Sequence, residues 1–241
     1  MLAAVPALML ALGLSASPPP AAEGSEVERV VAVVRAPGST EATVIALTRL
    51  EAESRVALIT RGATLAATQP LDGPALRAGL DWLVDEILLA AEAARLQIFE
   101  IDAAEREGEL ARFRTRLGGA AAYAAFLERA DLSEEELGAV LGRMLRVRRY
   151  VESRVSHAGQ VSESELSAWL DEHAAALGTR DRDAARVHLA ERRVADEVAA
   201  LLRDVRARAE VRLLGGLPAG PAAPASSGGL PDHEPRRQAR R

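Results

Sequence analysis

The stretch "LDWLVDEILLAAEAARLQI", Leu80 to Ile98, is the most apolar run in the body of this 241-residue chain. Apolar side chains recur in it every three or four residues and so share one stripe of a helix; they are Leu80, Leu83, Val84, Ile87, Ala91, Ala94 and Ile98. The charged residues on the other side are Asp81, Asp85, Glu86, Glu92 and Arg95. A membrane span needs about 20 residues with few charges. The spacing therefore predicts an amphipathic helix, from about Ala75 to Ile98, that packs on protein.

Strand-like segments lie at both ends of the chain body. Near the start, "VERVVAVV" (27–34) and "ATVIAL" (42–47) are rich in β-branched residues and flank the turn sequence "APGS", so they predict a β-hairpin. Near the end, "AEVRLL" (209–214) alternates Val211 and Leu213 with charged residues, which is a strand pattern. A lone strand is not stable. We therefore expect the last strand to pair with the first, and Val211 and Leu213 to bury apolar surface there.

Capping signals divide the intervening chain into helices. A Ser, Thr or Asp followed three residues later by Glu is the signature of a helix N-terminus, and it occurs at Thr48, Asp102, Ser133 and Ser162. Periodic apolar residues follow each signal, and a last periodic segment runs from about Arg182 to Ala207. We therefore predict a mainly α fold over residues 23–214. It is a multi-helix core closed by a small β-sheet that the N-terminal hairpin and the C-terminal strand form together.

The two ends of the chain differ from the body in composition. Residues 1–22 contain an uncharged apolar stretch, Leu2 to Leu14, followed by small residues and prolines. This pattern predicts a signal peptide, or an uncleaved membrane anchor, and hence export to the periplasm; an apolar segment without a targeting role is the alternative. Residues 215–241 are rich in Gly, Pro, Ala and Ser and predict a disordered tail. The tail is either simply solvated or could contact acidic lipid or a partner through Arg236, Arg237, Arg240 and Arg241.

Composition and motifs narrow the classes of function. The chain has no Cys, which excludes disulfides and thiol catalysis, and its net charge of −5 disfavours nucleic-acid binding. Its four histidines lack metal-ligand spacing, and there is no phosphate-binding glycine loop or serine nucleophile motif. We therefore predict no catalytic residue, metal, cofactor or nucleotide. The basic run "RMLRVRRY", Arg143 to Tyr150, could bind an acidic ligand; because it has helical spacing, the favoured interpretation is the outer face of a packed helix.

The order of these segments resembles that of a known family. The motifs "LVDEILLAAEAARLQI", "FLERADLSEEELGAVLGRMLRVRRYVESRVS" and "VSESELSAWLDEH" resemble the N-terminal domain of SurA-type periplasmic chaperones, which related parvulin-type prolyl isomerases share. The closing "LLRDVRARAEVRLL" is similar to the helix and strand that complete that core, so the resemblance covers most of residues 27–214. In those proteins, one or two parvulin domains precede the last helix. Here only the segment from Ala174 to Ala185 fills that place, and it is too short for an isomerase domain.

The resemblance implies a crevice between the helices that binds unfolded polypeptide. Met and aromatic side chains could line it, because such groups repack around varied partners. The candidates, each of which could instead belong to the core, are Trp82, Tyr123, Phe126, Met144, Tyr150 and Trp169. The leading hypothesis is an exported, non-enzymatic chaperone (holdase) for unfolded outer-membrane or secreted polypeptides. The alternatives are a protein related to peptidyl-prolyl cis-trans isomerases and a dedicated assembly partner of one envelope protein.

Overall fold

A computed structural model describes residues 28–97, 99–177, 181–215 and 217 of the chain, with only the backbone described for residues 174–177. In these ranges, seven α-helices lie between an N-terminal β-hairpin and a last β-strand. No helix within them has both the length and the apolar composition that crossing a membrane requires. The predicted N-terminal segment 1–22 lies outside the described residues. The predicted tail also lies outside the described residues, except for residues 215 and 217. Leu217 packs against the hydrophobic core.

The two ends of the described chain meet in one antiparallel sheet. Strand β1 (Val30–Arg35) lies in the middle, between β2 (Thr43–Ala46) and β3 (Glu210–Leu213). Along β3, Val211 pairs with Val34 of β1, and Leu213 pairs with Ala32. This pairing confirms the prediction that the last strand joins the first. The predicted fold class, mainly α with a small sheet formed by both chain ends, is thereby confirmed.

Strand β3 buries less apolar surface than the sequence predicts. Val211 and Leu213 lie opposite buried residues of β1, yet they are 37% and 65% exposed. The reason is that β3 forms an edge of the sheet, where fewer neighbouring side chains cover it. Backbone pairing with β1 holds the strand instead, and Arg35 and Glu210 form a surface salt bridge of 3.1 Å beside it.

The helices follow in the order that the capping signals predict. They are α1 (Leu47–Thr60), α2 (Gly73–Arg95), α3 (Ala103–Arg116), α4 (Ala120–Ala130), α5 (Glu134–Val155), α6 (Glu163–Leu177) and α7 (Arg182–Arg208), with a short 3-10 helix (Thr64–Ala67) between α1 and α2. Complete capping boxes form at Asp102 and Ser133, as predicted. The same reciprocal bonds join Ser162 to Glu165 at the start of α6, so this prediction is confirmed as well.

The capping box predicted at Thr48 is wrong. Helix α1 begins at Leu47, directly after β2, and Ala46 occupies the N-cap position without a side-chain hydrogen bond. The hydroxyl of Thr48 instead donates a hydrogen bond to Glu28 Oε1 at 2.6 Å. Because the chain passes from strand to helix without an intervening turn, Thr48 already lies inside the first turn of the helix.

Apolar side chains collect in three clusters. The first joins the sheet, α2 and the C-terminal part of α7, and it includes Ile45, Leu83 and Val205. The second joins α1, α3, α4 and α5, where the rings of Phe113 and Phe126 lie 5.4 Å apart. The third holds α6 against the N-terminal part of α7. Helices α2 and α5 pack on each other and thus connect the first cluster to the second.

Helix α2 is buried over a wider arc than the predicted stripe. The buried residues of that stripe are Leu80, Leu83, Val84 and Ile87, whereas Ala91 is half-buried, Ala94 is exposed and Ile98 lies outside the described residues. Glu86 and Glu92, predicted to lie on the charged outer face, are buried. The reason is that α1, α5, α7 and the sheet all pack on α2, so protein covers more than one side of it.

Candidate functional site

A small apolar cleft opens where α1 packs against the first turns of α2. Trp82 forms one wall of the cleft, and small apolar side chains form most of the rest, namely Ala57, Leu58, Ala75 and Ala78. The volume of the cleft is about 110 Å³. Pockets for small-molecule ligands usually measure roughly 300–1,000 Å³. This cleft therefore suits a single apolar side chain better than a whole metabolite.

Gly79 brings the two helices close together beside this cleft. A Cβ atom at position 79 would overlap the hydroxyl oxygen of Ser54 on α1, so the close approach requires glycine. Ser54 lines the cleft and is buried, and its Oγ atom has no hydrogen-bond partner among the described residues. Buried polar atoms are normally paired. The cleft thus combines an apolar lining with one unsatisfied hydroxyl group.

The ring of Trp82 is half-buried and lies beside a positive charge. The guanidinium carbon of Arg61, at the end of α1, lies 5.6 Å from the centre of the indole ring, which is cation–π geometry. This contact joins the C-terminal end of α1 to the first half of α2. An apolar side chain in the cleft would contact the ring, while a neighbouring carbonyl or carboxylate group could reach Arg61.

The other five predicted peptide-contacting residues do not line this cleft. Tyr123 and Phe126 are buried in the second cluster, and Met144 is half-buried beside them. Tyr150 is buried in the first cluster and Trp169 in the third. The structure thus distributes the six residues over three clusters: Trp82 and Tyr150 belong to the first, Tyr123, Phe126 and Met144 to the second, and Trp169 to the third. Peptide contact by these residues stays a prediction, and for the four buried ones it would require the helices to separate.

In the folded protein, the buried ring of Tyr123 makes polar contacts with two neighbouring helices. Its hydroxyl donates a hydrogen bond to Glu134 Oε2 at 2.9 Å, and the guanidinium group of Arg114 lies 4.7 Å from the ring centre. Burial and the bond to Glu134 raise the pKa of Tyr123 to about 12. The residue therefore joins α4 to α3 and to the start of α5.

A buried ion-pair network, which the sequence analysis missed, links α1, α2 and α5. Arg143 donates a hydrogen bond from Nε to Glu86 Oε1 at 2.9 Å, and a second one from a terminal nitrogen to Glu53. Arg49 also donates to Glu53, at 2.8 Å. Glu53 and Glu86 are only 4% and 3% exposed. The interpretation of the basic run as an outer face is therefore wrong for Arg143, which points inward.

A local signal for this network exists at Glu86. The residue follows Leu83 by three positions and precedes Leu89 by three, and both leucines are buried. Helical periodicity therefore places the carboxylate of Glu86 on the same buried side. Its partner cannot be found from such a pattern, because Arg143 lies 57 residues further along the chain.

The burial of Glu86 makes the stability of the fold depend on pH. Burial raises the pKa of Glu86 from 4.5 to about 7, although Arg143 acts in the opposite direction. The folded protein therefore holds this proton more tightly than the unfolded chain does. The resulting stabilisation is complete below about pH 4.5 and is lost as the pH rises through about 7.

Glu86→Gln is expected to remove this pH dependence, because the amide does not titrate. The variant's free energy of unfolding relative to wild type should rise by roughly 1–3 kcal/mol between pH 4.5 and pH 8. Urea denaturation followed by circular dichroism at several pH values measures this difference. A difference that is constant over the range would contradict the prediction.

Metal-binding residues and known relatives do not define the site further. Within the described ranges, no group of three or more His, Asp or Glu side chains is placed to hold a metal ion. The chain matches no protein-family model, and no curated protein matches it either. The resemblance to the N-terminal domain of SurA-type chaperones therefore rests on the sequence motifs alone.

Proposed function

We propose that this chain is an exported, non-enzymatic chaperone that holds unfolded outer-membrane or secreted polypeptides. The sequence motifs that resemble the SurA-type N-terminal domain support this function. The observation that carries the proposal in the structure is the apolar cleft beside Trp82. It offers an aromatic wall, small apolar side chains and a nearby guanidinium group on Arg61.

The cleft fits the requirements of a holdase. An extended polypeptide could place one apolar side chain in it, and the small volume leaves the rest of the bound chain outside. Such a contact is weak by itself, so binding requires further contacts along the client. Other apolar side chains are exposed on the described surface and could supply them; they include Val44, Leu65, Leu213 and Leu214.

The connection between the last two helices favours a holdase over a prolyl isomerase. Helix α6 ends at Leu177 and α7 begins at Arg182, so residues 178–181 alone join them. This is the place where the related isomerases carry their parvulin domains.

A dedicated assembly partner would differ from a holdase in the number of its ligands, and binding experiments separate these two alternatives.

Trp82→Ala tests the role of the cleft. The purified protein should suppress the aggregation of an unfolded outer-membrane barrel protein, and the variant should need severalfold more protein for equal protection. Because the ring is half-buried, the variant should lose less than about 2 kcal/mol of stability and stay folded. Light scattering after dilution of the client from urea measures protection. Val187→Ala, which truncates an exposed side chain on α7, should protect like wild type.

Each alternative predicts a different outcome of these experiments. Equal protection by wild type and Trp82→Ala would exclude the cleft as the client site. Failure to protect any client, together with stoichiometric capture of one envelope protein, would favour the dedicated assembly partner. Isomerisation of a prolyl peptide above the uncatalysed rate would favour the isomerase.

A further inference from the structure

A second cleft lies between α2, α3 and α5. Three arginines line it, namely Arg106 of α3 and Arg143 and Arg146 of α5, together with one carboxylate, Glu135. Its volume is about 460 Å³, which is within the range of roughly 300–1,000 Å³ that ligand pockets occupy. The cleft is therefore large enough for a small ligand, and the charge of its wall is mainly positive.

The side chain of Arg106 lies against two glycines of α5. A Cβ atom at Gly138 would lie 3.4 Å from Arg106 Cδ, and a Cβ atom at Gly142 would lie 3.8 Å from Arg106 Nε. The side chain of Arg106 therefore extends along α5 from Gly138 to Gly142. Arg143 follows Gly142 directly in the chain, and Arg146 lies one helical turn further on. The positive groups of α3 and α5 thus converge near Gly142.

Two of these three arginines lack a carboxylate partner among the described residues. Arg143 binds Glu53 and Glu86, but neither Arg106 nor Arg146 forms a salt bridge within the described part of the chain. The Nε–H group of Arg146 is buried and has no acceptor there. A buried charged donor without an acceptor is costly. By contrast, the buried glutamates of the described chain are all paired, namely Glu53, Glu86, Glu92 and Glu109.

The nearby carboxylates do not neutralise this pair of arginines. Glu135 is 11 residues before Arg146 on α5, which is about 16 Å along a helix, and it forms no salt bridge with any described residue. Glu107 and Glu134 lie with Arg106 in a neighbouring cleft, but neither is paired with it. No salt bridge among the described residues therefore neutralises Arg106 or Arg146, and a bound anion would offset the positive charge of the cleft wall.

We propose that this cleft binds a compact oxyanion, a phosphate or carboxylate group, between the guanidinium groups of Arg106 and Arg146. The guanidinium group of Arg146 donates a hydrogen bond to the anion, and Arg106 donates from the opposite wall. The planar fork of donors on a guanidinium group suits the oxygens of both phosphates and carboxylates. This site is separate from the cleft at Trp82, and the proposal does not depend on chaperone activity.

Titration of the full chain with inorganic phosphate at constant ionic strength tests the proposal without a client protein. The side-chain Nε–Hε NMR signal of Arg146, identified by its loss in Arg146→Gln, should shift saturably, and the melting temperature should rise with phosphate concentration. A parallel titration with acetate shows whether carboxylates bind as well as phosphates. Arg106→Gln and Arg146→Gln should each weaken the binding by about tenfold.

Arg154→Gln is the matched control, because it removes an exposed arginine of the same helix that does not line the cleft. Its affinity for phosphate should equal that of wild type. If Arg146→Gln lowers the melting temperature, Arg106→Gln, at an exposed position on α3, still tests the site. Equal weakening in all three variants, or no saturable shift with either anion, would overturn the proposal.

Discussion

Arg143→Met is expected to lower the free energy of unfolding by about 3–5 kcal/mol, because it leaves the buried carboxyl group of Glu86 without its partner. Methionine occupies much of the volume of the arginine side chain, so the loss is mainly electrostatic. Arg49 still binds Glu53 in this variant, whereas Glu86 loses its salt bridge. A whole domain is stable by only about 5–15 kcal/mol. The variant should therefore be close to unfolding, which urea denaturation at pH 7 measures.

Two further variants separate this effect from a general loss of charge. Arg154→Met removes an exposed arginine of the same helix and should change the stability by no more than about 0.5 kcal/mol. Adding Glu86→Met to Arg143→Met should restore much of the lost stability, because apolar residues of similar volume can replace a buried ion pair at little cost. If Arg143→Met is as stable as Arg154→Met, the network does not hold the helices together.

Leu83→Ala is expected to cost about 2–5 kcal/mol, because it leaves a cavity in a closely packed core. Leu83 is fully buried in the first cluster, on the helix that packs against α1, α5 and the sheet. Leu65→Ala is the same chemical change at a side chain that is 65% exposed. It should change the stability by about 0.5 kcal/mol or less.

Thermal denaturation followed by circular dichroism compares the two leucine variants directly. A large difference in melting temperature is expected, with Leu83→Ala the less stable. Equal melting temperatures would show that α2 does not occupy the centre of the domain.

The parts of the fold that the sequence predicted correctly are those with local signals. A capping box depends on two residues three positions apart, and it forms at Asp102, Ser133 and Ser162. The same pattern at Thr48 fails, because β2 leads directly into α1 and the pairing of the strand places the start of the helix. The terminal strand was predictable because a lone strand needs a partner and the hairpin offered one.

The candidate site was harder to predict, because helical phase shows which residues share a face but not which neighbour covers that face. Among the six predicted residues, Trp82 lines the open apolar cleft, whereas Tyr123, Phe126, Tyr150 and Trp169 are buried. The ion pairs of the buried glutamates and the unpaired Nε–H of Arg146 depend on helices that are distant in the chain. Their positions follow from tertiary packing and from no local pattern.

The pairing of β1 with β3 has a consequence for the chain as it is being made. Arg35 and Glu210, which join the two strands, are 175 residues apart. Because a ribosome makes the N-terminal strand first, one edge of β1 has no neighbour until nearly all of the described chain has emerged. Closing so long a loop is slow compared with forming helices. The nascent protein thus carries, through most of its own synthesis, an unpaired strand edge of the kind through which chains associate wrongly.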